Sequence, residues 1–420
     1  MRSADERSQG TRENILSFDA AMAVVLEQAA RATHGEIETV ALANALGRVL
    51  AADVVSDRDQ PPFNRSTRDG FAVRAQELMT GEWLTVSGQV AAGQLWQQAL
   101  EAKSAVEIMT GAPVPAEADA VVMLEHVEQA DGRIRLMPER TLAAGDNVVP
   151  RGSEARENDV LLTTGTVIGP ATIALAAACG AAQLVVYAKP VVAVLATGDE
   201  LVDVLETPGP SQIRNSNSYG VGAQVTAAGA TARVLPIAKD NMASLTASIA
   251  EARKADLMLL SGGVSMGEYD LVEDVLRAMG AEFVFTGVMM QPGKPLVFGW
   301  LPESDGRPSV PFFGLPGNPV STQVTFACFV EPLLRALRGA KAEAPRFVLA
   351  RLAHDVDGRP ALTRLLPASL TSSRADAVVR LVAWQGSGDL AANARANCYA
   401  VLPQGVERFR EGEIITVLLK

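Results

Sequence analysis

The chain of 420 residues is poor in the residues that mark several common protein classes. It has three cysteines (Cys179, Cys328, Cys398) and three histidines (His34, His126, His354), all far apart. No pair has the spacing of metal ligands, which argues against a structural zinc site or a disulfide framework and fits a reducing compartment. Basic runs are absent, and 37 Lys and Arg stand against 48 Asp and Glu, a formal charge of -11. An acidic chain of this kind is a poor partner for nucleic acid. Long apolar runs are also absent. The longest, residues 172–188, is interrupted by Gly180 and Gln183 and preceded by Pro170. A spanning helix needs about 20 apolar residues, so no membrane segment is expected. The first 14 residues are polar and resemble neither a leader nor an anchor, and a soluble cytoplasmic protein is expected. No fixed-period repeat or low-complexity segment is present.

What remains is a chain that is 48% apolar and 20% charged. That supports sizeable buried cores, and the length suggests several domains. Ser17 is placed to cap a helix running to about Arg31, with Met22, Val25, Leu26 and Ala29 on one face. A second helical stretch is expected over 40–50. From residue 51 to about 149, short β-rich runs alternate with Gly and Pro, as in a small β domain. Residues 147–188 return to strand and helix and can pack back on the N-terminal helices, which would make the β domain an insertion.

From 189 to about 338, strands and helices alternate. Residues 191–196 form a continuous apolar run, as in a strand buried on both faces. The alternation predicts an open, mostly parallel sheet covered by helices. After a linker at 339–345, the last 75 or so residues read as a small β-barrel or sandwich.

Ligands of open parallel sheets sit beyond the carboxyl ends of the strands, and each strand end here carries an unusual loop. The first is Thr197-Gly198-Asp199-Glu200, which read blandly is a turn with Asp199 capping a helix. The second, Arg214-Asn215-Ser216-Asn217-Ser218, opens a helix and offers hydroxyls, amides and free N–H groups. The third, Ser261-Gly262-Gly263-Val264-Ser265-Met266-Gly267-Glu268-Tyr269-Asp270, is rich enough in glycine to cradle an anion, but lacks the Gly-Lys-Ser/Thr of a Walker loop. Gln291-Pro292-Gly293-Lys294-Pro295 is a rigid turn presenting one lysine. Gly314-Leu315-Pro316-Gly317-Asn318-Pro319-Val320-Ser321 leads into a helix with Pro319 near its first position. Together the five describe an anionic, phosphate-bearing ligand. In the β region, residues 61–71 (PPFNRSTRDGF) and 108–115 (IMTGAPVP) are similarly dense in donors and turn residues.

The ordered set PPFNRSTRDGFAV, IMTGAPVPAEADAVV, PRGSE, VLATGDEL, IRNSNSYG, LSGGVSMGEYD, MQPGKP and GLPGNPVS resembles the molybdopterin molybdenumtransferase family, which includes bacterial MoeA and the E domain of gephyrin. The resemblance covers about 15–338 and implies a multidomain α/β plus β protein. Its parts would be an elongated, discontinuous N-terminal domain (15–50 and 147–188), an inserted β domain (51–146), an α/β molybdopterin-binding domain (189–338) and a C-terminal barrel-like β domain (341–420). It implies an enzyme of molybdenum cofactor synthesis whose substrates are molybdate and adenylylated molybdopterin. AMP is released, Mg2+ assists, and other enzymes of the same synthesis are candidate partners. It also implies a homodimer, with a cleft between the α/β domain of one subunit and the β domain of the other.

Matched by position, the catalytic candidates are Asp69, Thr110, Glu154, Glu200, Asp240 and Asp270, with Glu200 and Asp270 as metal ligands. The binding candidates are Thr197, Gly198, Asp199, Asn215, Ser216, Asn217, Ser261, Gly262, Gly263, Ser265, Gly267, Lys294, Pro316, Gly317, Asn318 and Pro319. The chain departs from the family pattern at Asn64 and Glu154, where Asp is frequent, and at Gly287 and Gln291, where Lys is frequent. These departures leave open a weaker anion site, compensation by Arg65, Arg68 or Arg214, or a specialised paralogue that binds pterin without turnover. An adenylyltransferase of the preceding step shares the glycine-rich loop, but the long segments on either side of the α/β region argue against it.

Charge supplies the reason for a metal. One pair of like unit charges at 4 Å repels by about 4 kcal/mol at an effective dielectric near 20. Glu200 and Asp270 facing an oxyanion therefore require a cation such as Mg2+ between them.

Overall fold

The computed structural model describes residues 14–32, 35–262, 271–304 and 306–420. The chain forms two compact units. The first comprises residues 1–39, 47–51 and 185–420, and the second comprises 40–46 and 52–184.

The first unit begins with a short strand, Ile15–Ser17, and the helix Phe18–Gln28. The Ser17 side chain accepts a hydrogen bond from the backbone N of Ala20, satisfying one of the donors that every helix start leaves open. Phe18, Ala21, Met22 and Val25 are buried along one stripe. The expected helix over 40–50 does not form. Ile37–Ala41 is a strand, and only Leu42–Asn44 makes a single 3-10 turn. Two β-branched residues, Thr39 and Val40, favour extended backbone, and Gly47 at φ 74° ends any helical course.

A six-stranded sheet forms the α/β part. Across the sheet the strands run Thr231–Val234, Val191–Ala196, Leu257–Ser261, Val310–Leu315, Val297–Leu301 and Glu282–Phe285. The first four are parallel, Val297–Leu301 runs antiparallel to them, and the edge strand Glu282–Phe285 is antiparallel to Val297–Leu301 in turn. Val191–Ala196 is buried on both faces. Val192 and Val194 join the core with Val221 and Val225 of the Ser216–Ala227 helix. Ala193 and Leu195 join the opposite core with Leu245 and Ile249 of the Met242–Ala252 helix. The period of two along one strand thus serves two helical layers.

The apolar stretch 282–291 forms two strands. Glu282–Phe285 stays in the α/β sheet, whereas Gly287–Gln291 pairs with Ile15–Ser17 and with the strand Thr363–Ser372. The helical run 319–337 is continuous but contains a π-helical stretch, Phe326–Val330, just before Pro332. The wider turn accommodates a proline that has no N–H to give and would crowd the carbonyl four residues back.

The C-terminal strands close on themselves. Thr363–Ser372, Ala377–Leu381, Phe347–Leu352, Ile414–Leu419 and Cys398–Leu402 pair in that order, and the last returns to the first. Alternate residues Leu366, Ala368, Cys398, Ala400, Ile415 and Val417 fill this five-stranded barrel.

The second unit holds a six-stranded sheet containing Gly70–Val73, Leu84–Val90, Ser104–Ile108 and Ala120–Met123. It also contains the helix Pro170–Ala178, with Pro170 at its start. No helix of the described residues is long and apolar enough to cross a membrane.

Candidate functional site

Strand order decides where the loops of the α/β sheet meet. From Val191–Ala196 the chain moves to Thr231–Val234 on one side, then crosses to Leu257–Ser261 on the other side. Adjacent strands that send their connections opposite ways leave a crevice beyond their carboxyl ends. Thr197 and the Ser261-Gly262 turn lie at that switch point.

The crevice is a cavity of about 340 Å³. Its walls include Thr197 and Glu200 from the first loop and Asn215, Ser216 and Asn217 from the second. Ser261 and Gly262 come from the third, and Gly317, Asn318 and Pro319 from the last. Local rules fix each piece. The backbone N of Thr197 donates to Ser261 O at 3.0 Å, extending the ladder past the strand end. Gly262 has φ 89°, and a Cβ there would lie 2.3 Å from Thr197 O, so no other residue fits without a shift. A Cβ on Gly198 would lie 2.4 Å from Glu200 Oε2, so the bare glycine gives the Glu200 carboxylate its place. Asn215 caps the Ser216–Ala227 helix by accepting from Ser218 N. Asn217 Nδ2 donates to Ser261 Oγ at 2.9 Å and to Gly317 O at 2.8 Å, tying three loops together.

Asp240 and Asp199 are exposed and are not among the residues lining the cavity. Thr197 Oγ1 donates to Asp240 Oδ1, and Asp199 and Asp240 exchange backbone-to-carboxylate bonds at 3.4 Å. Asp199 caps no helix, because the strand Leu201–Val202 follows. Pro316 is buried, and its carbonyl accepts from Thr322 Oγ1. Lys294 is exposed and is not among the residues lining the cavity. The remaining candidates of the third loop, Gly263, Ser265, Gly267 and Asp270, lie outside the described residues.

Two walls went unforeseen. Leu201 and Ile213 belong to a two-stranded ribbon, Leu201–Val202 with Ile213–Arg214, closed by Ile213 N to Glu200 O at 2.8 Å and Asn215 N to Val202 O at 2.9 Å. Gly388 and Leu390 come from the C-terminal region. That region docks on the helix Pro319–Thr325 through Val320 N to Ser387 O at 3.0 Å and Asn393 Nδ2 to Gln323 Oε1 at 2.7 Å. Asp389 caps the next short helix and accepts from Ala392 N and then Gln385 N, which hold its carboxyl below the usual range. The sequence signal was the Gly386-Ser387-Gly388-Asp389 run, of the same Gly, Ser and acid texture as the other loops.

In the second unit the candidates are joined differently. Asp69 Oδ1 accepts from Thr110 N at 2.7 Å. The Thr110 amide, and then its hydroxyl, hold the Asp69 carboxyl below its ordinary value. The next residue must be glycine, since a Cβ on Gly70 would lie 1.9 Å from Val122 O. Glu154 Oε1 pairs with Arg65 Nη2 at 3.1 Å. Asn64 Oδ1 accepts from Arg151 N at 2.9 Å, and Gly152 N donates to Pro61 O at 3.0 Å, so the PRG turn is fastened to the 61–69 loop. At Asn64 the accepting oxygen is one that an aspartate would also supply. Gly287 faces Ile15, where a Cβ would come within 3.1 Å of Cγ1, and the buried Gln291 Oε1 has no hydrogen-bond partner.

The three cysteines are buried and unpaired by disulfides. Burial pushes the Cys398 thiol up to about 11 and that of Cys328 higher still, so neither is a ready nucleophile.

A polar, glycine-walled crevice at the switch point of a parallel sheet defines a ligand-binding α/β protein with appended β domains. Comparison with known proteins specifies it. The MoeA N-terminal region (domain I and II) matches residues 16–180. The probable molybdopterin-binding domain matches 193–336, and the MoeA C-terminal region (domain IV) matches 349–420. The molybdopterin molybdenumtransferase of Bacillus subtilis is 34% identical over 396 residues, covering 92% of this chain and 90% of its own. That of Staphylococcus epidermidis is 33% identical, with 92% of each chain covered. Two crystal structures of the molybdopterin biosynthesis MoeA protein from Pyrococcus horikoshii superpose with TM-scores of 0.74 and 0.79 at 32% and 26% identity. They cover 96% and 97% of this chain, and 99% and 100% of theirs. The chain belongs to the MoeA family of molybdopterin molybdenumtransferases.

Proposed function

We propose that this protein transfers molybdenum from molybdate to adenylylated molybdopterin, releasing AMP, as a step of molybdenum cofactor synthesis. The observation that carries the reading is the cavity in which four separately recognisable loops of the α/β sheet converge. Its short polar side chains and backbone N–H groups suit an anionic nucleotide conjugate. Asn217, Ser261 and Thr197 orient the ligand, and the Gly262 turn lets it approach the backbone. Asp240 holds Thr197 in place through the hydroxyl. Pro316 and Pro319 stiffen the last loop, and Lys294 and the rest of the glycine-rich loop are further phosphate-binding candidates. Asp69, Thr110 and Glu154 are the catalytic candidates of the second unit.

Magnesium fits the donors that are present. The cavity offers the Glu200 carboxylate and neutral oxygens, with no His or Cys among its described walls. No group of three or more His, Cys, Asp or Glu side chains that could cage a metal occurs among the described residues. Mg2+ needs only one or two carboxylates beside phosphate and water, and Glu200 with Asp270 would hold it. Bound there, it would polarise the pyrophosphate and offset the charge that builds on the departing AMP.

The protein is further proposed to act in the cytoplasm as a homodimer. Its domains are proposed at 15–50 with 147–188, 51–146, 189–338 and 341–420. The test supplies purified protein with adenylylated molybdopterin, molybdate and Mg2+. AMP release with formation of molybdenum cofactor is expected, and no release above the blank overturns the reading. Gly287 and the unpartnered Oε1 of Gln291 favour a second reading, a pterin-binding scaffold, which predicts ligand binding in the same assay without AMP.

A further inference from the structure

We propose that Arg214 is the anion anchor of the cavity and receives the phosphate of the adenylate half of the ligand. The inference rests on the transferase reading and extends it to one residue. Among the described walls of the cavity only Glu200 and Arg214 carry charge, and Arg214 is the one cation. Its backbone is fixed. Val202 and Arg214 are register partners in the two-stranded ribbon, and the flanking Ile213 N and Asn215 N donate to Glu200 O and Val202 O.

Its side chain is fixed as well. Nε donates to Val204 O and to Glu206 O, each at 3.1 Å. Both acceptors are main-chain carbonyls, so they orient the guanidinium without neutralising it. The surrounding segment contains Asp199, Glu200, Asp203 and Glu206, yet no carboxylate among the described residues pairs with Arg214. By contrast Arg65 is already paired with Glu154. An oriented, unneutralised guanidinium keeps its two terminal nitrogens for a ligand, and their fork matches two oxygens of a phosphate. The start of the Ser216–Ala227 helix lies next in the chain and adds its dipole in the same sense. Arg214 therefore offsets the repulsion that Glu200 exerts on the same ligand.

Calorimetric titration of the full chain with AMP, with adenosine and with sodium molybdate tests this in wild type, Arg214→Gln and Arg214→Lys. The wild type is expected to prefer AMP over adenosine by at least about tenfold, a preference that falls with added salt. Arg214→Gln is expected to bring the two affinities together by weakening AMP alone, with adenosine and molybdate unchanged. Arg214→Lys, which keeps the charge and loses the Nε bonds, is expected to retain part of the preference. If the preference survives in Arg214→Gln, or if molybdate rather than AMP is lost, the assignment is overturned. Should Arg214→Lys behave as Arg214→Gln with adenosine also weakened, Arg214 only shapes its loop, and the assignment is overturned again. A wild type that binds neither AMP nor adenosine sinks the transferase reading itself, an outcome distinct from the others.

Discussion

The two sets of motif loops are built to different plans. In the α/β region the loops make a cavity lined by one carboxylate, Glu200, while Asp240 accepts from the lining Thr197 and exchanges bonds with Asp199 outside the lining. In the second unit Asp69 and Glu154 are exposed and already engaged, one by the Thr110 amide and the other by Arg65. The first set makes a cavity walled by bare glycines and short polar side chains. The second is a brace of short loops whose carboxylates are oriented by their neighbours. A shared density of Gly, Pro and acid in sequence therefore stands for two physical tasks, and only hydrogen-bond partners tell them apart.

Substitutions can break or sharpen that contrast. Gly262→Ala should have the largest effect, because it places a methyl group 2.3 Å from Thr197 O at a backbone angle that disfavours side chains. Strain of about 1–3 kcal/mol should appear in calorimetric melting, and AMP release should fall below detection. Glu200→Gln should leave melting unchanged and lower AMP release by about 100-fold, with a weaker response to added Mg2+. An unaltered rate would remove Glu200 from the ligand space.

Asp69→Asn should lower AMP release about tenfold and leave AMP affinity as it was, which separates bracing from binding. Its pH dependence has a definite sign. Asp69 has a folded value below the ordinary one, so its bond to Thr110 is intact above pH of about 4 and is lost as pH falls through that lowered value. The Thr110 amide resonance should follow that titration, and a midpoint above the ordinary carboxylate value would contradict the geometry.

Leu390→Ala should weaken AMP by about fivefold if the C-terminal wall buries part of the ligand. Equal affinity would show that the wall is a bystander. Arg65→Gln should be the mildest, shifting stability by less than about 1 kcal/mol, since its partner Glu154 is also exposed. A larger loss would mean that the pair holds the loops of the second unit together.

Much of the α/β sheet could be read from the chain. The run Val191–Ala196 and the Ser17 cap stand where pattern and capping rules put them. Those signals are local, carried by an unbroken apolar run of six residues or by a side chain reaching three residues on. The reading failed where neighbours far along the chain decide. Gly287–Gln291 has the apolar texture of an α/β strand but pairs with Thr363–Ser372 instead. The segment 40–50 has enough apolar residues for a helix but holds the end of a strand at Ala41 and the 3-10 turn Leu42–Asn44.

The candidate site divides in the same way. Sequence alone determined which residues are bare of a Cβ, which turns are stiff and which loops carry acid or amide. Those are steric and chemical properties of single residues. Tertiary structure decided that Thr197, Asn217, Ser261 and Gly317 face one cavity, that Asp240 supports rather than lines it, and that Leu390 closes a wall. The physical reason is strand order. Which strand ends become neighbours depends on crossovers and on the docking of the barrel, and both are set by burial of large apolar faces rather than by the loops they bring together.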